Sequence, residues 1–508
     1  MQRFWRVETA FFLVIWIVLL VGGRSSLLRD PGTFCHIVVG QKIIDGEGLP
    51  LSDPFSFTRG GTPWTAHQWA SVSAMAAVHD FGGWDALVVL TTALLAGIYT
   101  WIASRLLRSG LAVMPTVCLL VVVLIAGSHQ FHVRPLIVTL GLMGWTFAML
   151  LDVDSGRKHA WQLWWLVPVF VVWANLHGGV LAGIGTVGLC LGGWCLLWLL
   201  RRESPAGSLL TVVNLSAIVI CCCAAVFVNP YGLDLPKAWL STLSIPLPGL
   251  IEEHAPLKLA SPMTVAVGLL LLAYIAALAG TFRRGKRFHF AWLLPLVWAV
   301  LAVSRVRNVP LFAIVAALAF ADVLPYSRLS GWLAGREMFR SADEEEQAGR
   351  PHWSWAALPV AILLAVVLAI QAAGVEAPVV GRGWAKLDPK LWPVELQSEL
   401  DKIAAENPEG TPIFNDLNFG GYLTYHAPRM RIFIDDRCAL YGGDMLLEYE
   451  NARLRKPEQL EAWRQEYGFR HALVIAGSRF DKYLEESPDW QPLGRTSAAA
   501  LYQYDTKP

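Results

Sequence analysis

The stretch AFFLVIWIVLLVGG (residues 10–23) decides the fold class, because it is the first of many apolar runs in the chain. A bilayer core of roughly 30 Å needs about 20 mostly apolar residues in a helix. The chain has 508 residues, of which 55% are hydrophobic and only 16% are charged, so it is far more apolar than an ordinary soluble domain. The sequence therefore predicts an α-helical integral membrane protein. Its net charge of +1 argues against nucleic acid as a partner.

Eleven transmembrane spans follow from the apolar windows. They lie near residues 8–27, 83–104, 111–127, 135–151, 161–175, 178–200, 208–228, 262–281, 289–303, 309–325 and 353–373. The basic start with Arg3 and Arg6 is typical of a signal peptide, but no small-residue cleavage site follows, which predicts an uncleaved anchor. Loops rich in arginine and lysine alternate along the chain, and the positive-inside rule assigns them to the cytoplasm. We therefore expect a cytoplasmic amino terminus and an outer carboxyl terminus.

The composition changes near residue 374 to a mixture of charged residues, proline and glycine. The sequence thus predicts a transmembrane domain over residues 1–373 and a separate outer-face α/β domain over residues 374–508. Short strands are predicted in TPIFNDL (411–417), RMRIFID (429–435) and RHALVIAG (470–477). The long segment 444–468 has a helical pattern.

The first outer loop, residues 29–58, carries several ionisable groups directly after the first span. Asp30 follows the end of that span closely, and an acid fixed there suits a general base. His36 lies in an amphipathic segment that could lie along the membrane surface. Asp53 and His67 follow in a turn-rich segment that leads to an interfacial helix. We predict Asp30, Asp53 and His36 as catalytic residues and His67 as a substrate-binding residue, the alternative being a loop that is merely solvated.

The other outer loops place basic and polar groups at the ends of apolar helices, where an unpaired charge is expensive. Arginines at helix ends often extend their heads to the membrane surface, and Asn, Gly and Pro also form ordinary turns. Several outer-face arginines nevertheless oppose the inside bias for positive charge, and arginine binds phosphate bidentately. The predicted phosphate-binding residues are Arg134, His177, Arg305, Arg307 and Asn308.

No sequence motif demands a cofactor. The acids of IEEHAP (251–256) could ligate a divalent cation together with Asp30 or Asp53, but no spacing requires a metal, and no metal ligands are predicted. A Walker loop, a GxSxG motif and a CxxC pair are all missing from the sequence, so the sequence gives no support to an ATPase, a serine hydrolase or a thiol redox enzyme. Cys35 and Cys438 could form a disulfide if both face an oxidising compartment.

These features resemble the GT-C superfamily of membrane glycosyltransferases, through the first loop with its acid and the segments VRP, WANLHGG, VNPYG, RVRNVP and FNDLNFGGYLTYHAPRMRIFIDDRCALYG. More narrowly, they are similar to an uncharacterised bacterial group of such proteins. The resemblance covers nearly the whole chain. It implies a multi-pass protein of the bacterial inner membrane and an inverting transfer of a hexose or pentose from a polyprenyl phosphate.

The resemblance also implies roles for individual residues. Asp30 would activate the acceptor hydroxyl of a glycan, lipid or protein, and Arg134, Arg305 and Arg307 would hold the lipid-linked phosphate. Many members carry a second acid directly after the first, whereas Asp30 is followed by Pro31, Gly32 and Thr33. Two alternatives stay open: a flippase for lipid-linked saccharides, which would need charged residues at mid-membrane depth, and a non-catalytic glycan-binding scaffold.

Overall fold

A computed structural model describes residues 6–244, 252–282, 288–339, 353–376 and 383–505. The helices before the carboxyl-terminal unit are α1 (Val7–Gly22), α2 (Pro31–Ile44), α3 (Trp69–Arg108), α4 (Val113–Gly127), α5 (Leu136–Asp154), α6 (Leu166–Leu176), α7 (Val180–Leu199), α8 (Leu209–Ala225), α9 (Asp234–Ser244), α10 (Pro262–Phe282), α11 (Leu294–Ser304), α12 (Val309–Val323), α13 (Arg328–Ala334) and α14 (Trp353–Ala372). Together α1 to α14 form a largely apolar helical bundle.

Among the described residues, six helical segments are long and apolar enough to cross a membrane. They are Trp69–Arg108, Val113–Gln130, Leu136–Asp154, Val180–Leu199, Pro262–Thr281 and Val306–Tyr326. The other five predicted spans fall on shorter apolar helices, namely Val7–Gly22, Ala160–Leu176, Leu209–Ala225, Phe290–Ser304 and Leu358–Gln371. The chain is therefore a multi-pass membrane protein, and crossing by all eleven segments stays a prediction.

Helix α3 is bent near its middle. Gly82 and Gly83 leave the helical conformation, and Gly83 has a φ of +63°, a region that residues with a Cβ rarely adopt. The bend separates the first part of α3, which follows His67, from the apolar second part, which is predicted as a span from residue 83. It lets the first part of α3 pack beside α2, where Gly40 lies directly against the backbone oxygen of Val72.

The carboxyl-terminal unit is an α/β layer. Its helices are α15 (Gln397–Glu406), α16 (Gly420–His426), α17 (Cys438–Leu454), α18 (Gln459–Tyr467) and α19 (Arg479–Glu486), and its strands are β1 (Thr411–Asn415), β2 (Met430–Ile432), β3 (His471–Ile475), β4 (Trp490–Arg495) and β5 (Ala499–Tyr504). The strand order is β2-β1-β3-β5-β4. Strand β1 is parallel to β2 and β3, while β5 is antiparallel to β3 and β4.

The three predicted strands are confirmed as β1, β2 and β3. The predicted helix over residues 444–468 is present as two helices, α17 and α18, which are interrupted near Pro457, where a proline cannot continue the hydrogen-bond ladder. Strands β4 and β5 were not predicted, because β4 is mostly exposed and lacks the apolar alternation that identifies a half-buried strand.

The first loop of the membrane unit packs directly on the carboxyl-terminal unit. The amide of Phe57 donates to the carbonyl of Ile432 at 3.0 Å, and the amide of Ile432 donates to the carbonyl of Phe55 at 3.1 Å. Loop residues 55–57 therefore extend the sheet beside β2. In addition, Gly421 of α16 lies directly against the carbonyl of Pro31 at the start of α2. The two units consequently share one boundary, and a cavity lies along it.

Candidate active site

A cavity of about 570 Å³ lies between the helical bundle and the carboxyl-terminal unit. Its charged and histidine lining residues are Asp30, His36, His67, Arg134, His177, Glu253, His254, Arg307, Asp436, Arg437, Glu450 and Arg453. The membrane-side members lie in the connections α1–α2, α4–α5, α6–α7, α9–α10 and α11–α12 and at the start of α2 and α3. The opposite wall lies at the carboxyl ends of the parallel strands, the edge at which α/β sheets bind ligands.

Arg134 occupies the centre of the membrane-side wall. Its Nε donates to Oδ2 of Asp30 in a short hydrogen bond, and its Nη1 donates to Oε1 of Glu253 at 2.7 Å. Its Nη2 lies 3.9 Å from Oδ2 of Asp436. Although burial opposes the charged form, the nearby carboxylates raise the pKa of Arg134 above its ordinary value. Three acids from distant parts of the chain thus converge on one guanidinium.

Asp30 is fixed by local structure. It lies at the amino-terminal end of α2 with extended backbone angles, and Pro31 begins the helix, a position where proline is favoured. Thr33 Oγ1 lies 3.3 Å from Asp30 Oδ2 and 2.9 Å from the carbonyl of Val133. The Asp30 side chain is only 3% exposed. The short connection after α1 therefore presents this carboxylate to the cavity in one orientation.

Asp436 reaches the cavity from the loop that follows β2. Gly32 lies between the two acids: a Cβ there would collide with Oδ2 of Asp436 and lie 3.3 Å from Oδ2 of Asp30. Burial, followed by the charge of Asp30, raises the pKa of Asp436 to about 7. The carboxyl-terminal unit therefore places a second acid, Asp436, close to Asp30.

Asp53 lies behind the cavity wall, outside its lining. Its carboxylate accepts hydrogen bonds from the amides of Phe55 and Ser56, both at 3.1 Å, and from Arg437 Nη1 at 2.7 Å. Arg437 also pairs with Asp435 at 2.7 Å. All three charged side chains are at least 92% buried, since Arg437 is 8% exposed and both aspartates 0%. Asp53 therefore fixes the loop after β2 that presents Asp436.

The cavity histidines are held neutral by burial. Burial is the main cause that lowers the pKa of His36 to about 4 and that of His177 to about 3, and it also lowers the pKa of His67. The amide of Gly179 donates to Nδ1 of His177 at 2.9 Å, so this nitrogen carries no proton and Nε2–H is the donor. These side chains can therefore donate or accept a hydrogen bond without adding charge.

Arg307 differs from the other described arginines of the cavity in its ion pairing. Its Nη1 donates to Nε2 of His254 at 2.7 Å, and burial together with Arg307 and Arg305 lowers the pKa of His254 to about 3. Among the described residues, no carboxylate forms an ion pair with Arg307. Arg305 lies outside the cavity lining, and Asn308 lines a separate apolar groove of about 210 Å³ between α7 and α11.

The structure thus brings together Asp30, His36, His67, Arg134, His177 and Arg307 of the nine predicted site residues. Sequence reasoning did not select Glu253, His254 or Asp436. The first two lie in the segment IEEHAP, one of the polar outer loops, whose acids are also possible metal ligands, and the third lies in IDDR (434–437), where the paired acids are the available signal. Within the described ranges, no group of three or more metal-ligating side chains could hold a metal ion.

Several solved structures are similar to this chain. ArnT from Cupriavidus metallidurans bound to undecaprenyl phosphate is 15% identical over 99% of this chain and 98% of that chain, with a TM-score of 0.47. The same protein in the apo state is 14% identical over 97% of each chain, with a TM-score of 0.41. A mutant of arabinofuranosyltransferase AftD from Mycobacteria is 14% identical over 98% of this chain and 41% of that chain, with a TM-score of 0.45. No family model and no curated protein matches the chain.

Proposed function

We propose that this protein is a membrane glycosyltransferase that transfers a sugar from a polyprenyl phosphate to an envelope acceptor at the outer membrane face. The observation that carries the proposal is a cavity at one end of a bundle of apolar helices. In it, carboxylates meet Arg307, which forms no ion pair with a carboxylate among the described residues. Such a transfer needs a base for the incoming hydroxyl and fixed positive charge for the departing phosphate. The resemblance of the sequence motifs to the GT-C superfamily agrees with this proposal.

Arg307 is the proposed ligand of the donor phosphate. Arg134 is already surrounded by Asp30, Glu253 and Asp436, so much of its charge is offset before any ligand binds. Arg307 contacts only a neutral histidine by its Nη1, and its remaining N–H groups can bind phosphate oxygens. Arg305 adds positive potential nearby without lining the cavity.

The apolar groove beside Asn308 supports a lipid substrate. Ala182, Leu189, Val297 and Leu301 are among its lining residues, and it lies on the same helix connection as Arg307. A polyprenyl tail is entirely apolar, so it could lie along this apolar groove among the membrane helices while its phosphate stays at Arg307. A free sugar nucleotide would leave this groove without a function.

The base belongs to the carboxylates gathered around Arg134, with Asp30 at their centre. The neutral histidines His36, His67 and His177 would orient hydroxyl groups of the sugar or the acceptor. Transport is the less supported alternative, since the polar groups at the opposite end of the bundle are paired among themselves: Asp152 accepts from Arg105 at 2.9 Å and from Arg157 at 3.0 Å. Among the described residues at that end, Arg105, Asp152 and Arg157 therefore offset one another's charge, which does not favour an alternating pathway through them.

Sugar transfer by the full chain in lipid nanodiscs tests the proposal. The donors are radiolabelled mannosyl, glucosyl, galactosyl and arabinosyl undecaprenyl phosphates, offered with an envelope extract. We expect transfer by the wild type and a loss of at least about 100-fold in Asp30→Asn and Arg307→Gln. Asp444→Asn and Arg429→Gln, which change exposed residues outside the cavity, are matched controls. Binding of undecaprenyl phosphate without transfer from any donor would instead identify a non-catalytic scaffold.

A further inference from the structure

Four carboxylates of the described residues line the cavity, and they differ in the groups that contact them. Asp30 and Glu253 accept hydrogen bonds from Arg134, and Glu450 accepts two from Arg453 at 2.6 and 2.7 Å. Asp436 lies 3.9 Å from Arg134, beyond hydrogen-bonding distance. Within the part of the chain that the structure describes, no donor contacts its carboxylate. Asp436 is therefore the cavity acid whose oxygens are free to accept a proton.

The backbone that carries Asp436 is fixed, although its carboxylate is free. The residues on either side of it, Asp435 and Arg437, form a buried ion pair, and the amide of Cys438 donates to the carbonyl of Asp436 at 2.8 Å. The Asp436 side chain is 23% exposed, and this exposed part faces the cavity. A rigid backbone with an unengaged carboxylate is the arrangement that proton abstraction in a fixed geometry requires.

We propose that Asp436 is the catalytic base of the proposed transfer and that Asp30, held by Arg134, is its positioning residue. This inference rests on the proposed function. In the step, Oδ2 of Asp436 takes the proton of the acceptor hydroxyl, and the hydroxyl oxygen forms a bond to the anomeric carbon. The bond between that carbon and the phosphate oxygen breaks, and its electron pair leaves with the phosphate, which Arg307 binds. Asp436 then returns its proton to water.

The charge environment fits this role. The charged groups around Asp436 come from the membrane side and from its own loop. Those on the membrane side are Asp30 before α2, Arg134 before α5 and Glu253, and those in the loop are Asp435 and Arg437. The thiols of Cys35 and Cys438 lie close by as well. Burial and Asp30 together raise the pKa of Asp436 to about 7, and a base works best when its pKa lies near the working pH. An acceptor hydroxyl near Asp436 would meet an effective base at neutral pH.

The pH dependence of transfer in nanodiscs separates Asp436 from Asp30. We expect wild-type kcat to fall below about pH 7, because a base must be deprotonated to act. In Asp436→Asn this acid limb of the pH profile, the fall of kcat below about pH 7, should be absent, and kcat should be reduced about 100- to 10,000-fold. Asp436→Glu should partly restore kcat. In Asp30→Asn the residual activity should keep the limb and shift it to lower pH, since the charge that raises the pKa of Asp436 is gone. Asp444→Asn is the isosteric control.

The outcomes distinguish the two proposals. If Asp436→Asn transfers sugar within about 3-fold of wild type with an unchanged pH profile, the inference is overturned while the proposed function stands. A limb that disappears in Asp30→Asn but persists in Asp436→Asn assigns the base to Asp30 and also overturns it. If the wild type transfers no sugar from any of the four donors, both proposals fail. Retained binding of undecaprenyl phosphate by each variant shows that its cavity has formed.

Discussion

Substituting Arg437 should separate the first loop from the carboxyl-terminal unit. Arg437→Gln leaves Asp53 and Asp435 buried without their counter-charge, and removing one partner of a buried ion pair costs about 3–5 kcal/mol. The rings of Phe55 and Trp64, whose centroids lie 5.1 and 4.8 Å from the guanidinium carbon, would also lose a cation–π contact worth about 0.5–2 kcal/mol. We therefore expect a loss of at least about 3 kcal/mol in the free energy that holds this boundary closed.

A double-mutant cycle with Asp53→Asn measures this interaction. Asn at position 53 keeps an oxygen for the amides of Phe55 and Ser56, so the cycle mainly reports the charge pair. We expect a coupling energy of about 1–3 kcal/mol, measured by amide hydrogen exchange of residues 52–58 and 430–437 in nanodiscs. Arg453→Gln, which breaks a partly exposed pair with Glu450, is the control and should cost less than about 1 kcal/mol. A coupling below about 0.5 kcal/mol, or unchanged exchange, would refute the view that Arg437 holds the two units together.

Three further outcomes follow from the cavity. Gly32→Ala should push apart the carboxylates of Asp30 and Asp436, because the new methyl group collides with Asp436. Such overpacking costs about 1–3 kcal/mol of stability. We expect sugar transfer to fall more than 10-fold in protein that size-exclusion chromatography shows to be folded. Arg307→Gln should weaken binding of undecaprenyl phosphate about 10- to 100-fold, since charged hydrogen bonds contribute about 1.5–3 kcal/mol. Arg307→Lys should recover part of the lost affinity. Equal affinities of Arg307→Gln and wild type in a lipid-binding titration would exclude Arg307 as the phosphate ligand. The pKa values of His36 and His177 are lowered from 6.5 to about 4 and about 3, so below pH 6.5 the unfolded chain binds more protons than the folded chain. The stability contributed by the neutral imidazoles should therefore be complete above pH 6.5 and decline as the pH falls towards 4. His177→Gln should make this decline smaller in thermal unfolding scans.

The sequence predicts elements well where periodicity is strong and poorly where tertiary contacts decide. An apolar helix lies at each of the eleven predicted spans, because membrane helices are defined by composition and length. Strands β1, β2 and β3 follow from short buried apolar runs, whereas β4 is paired on one side only and largely exposed, so its sequence lacks that signal. Residues 55–57 lie in a segment that the sequence predicts as turn-rich, and their strand pairing depends on the distant residue Ile432.

Several of the predicted site residues that line the cavity lie where a helix end fixes the side chain. Asp30, Arg134 and Arg307 each lie beside a proline-capped or short connection that leaves little freedom, and all three line the cavity. Asp53 was predicted as catalytic from the same loop, but its carboxylate turns towards Arg437, about 380 positions away in the sequence. For Asp435 and Asp436 the sequence offers turn and strand-edge roles as readily as carbohydrate binding, and nothing local distinguishes the two acids. Only the packing of β2 against the first loop shows which of the two faces the cavity.

The placement of Asp436 changes the status of the carboxyl-terminal unit. Removing a unit that only recruits an acceptor would lower the affinity for that acceptor alone. Removing a unit that supplies the base would also abolish the chemical step. Gly421 against Pro31 and residues 55–57 against β2 fix that unit on the same helix start that presents Asp30. Because a base must be held within a few tenths of an ångström of its productive position, these contacts would serve catalysis as well as folding if Asp436 is the base, as proposed. Opening of this boundary would therefore control both the entry of the acceptor and the assembly of the proposed base.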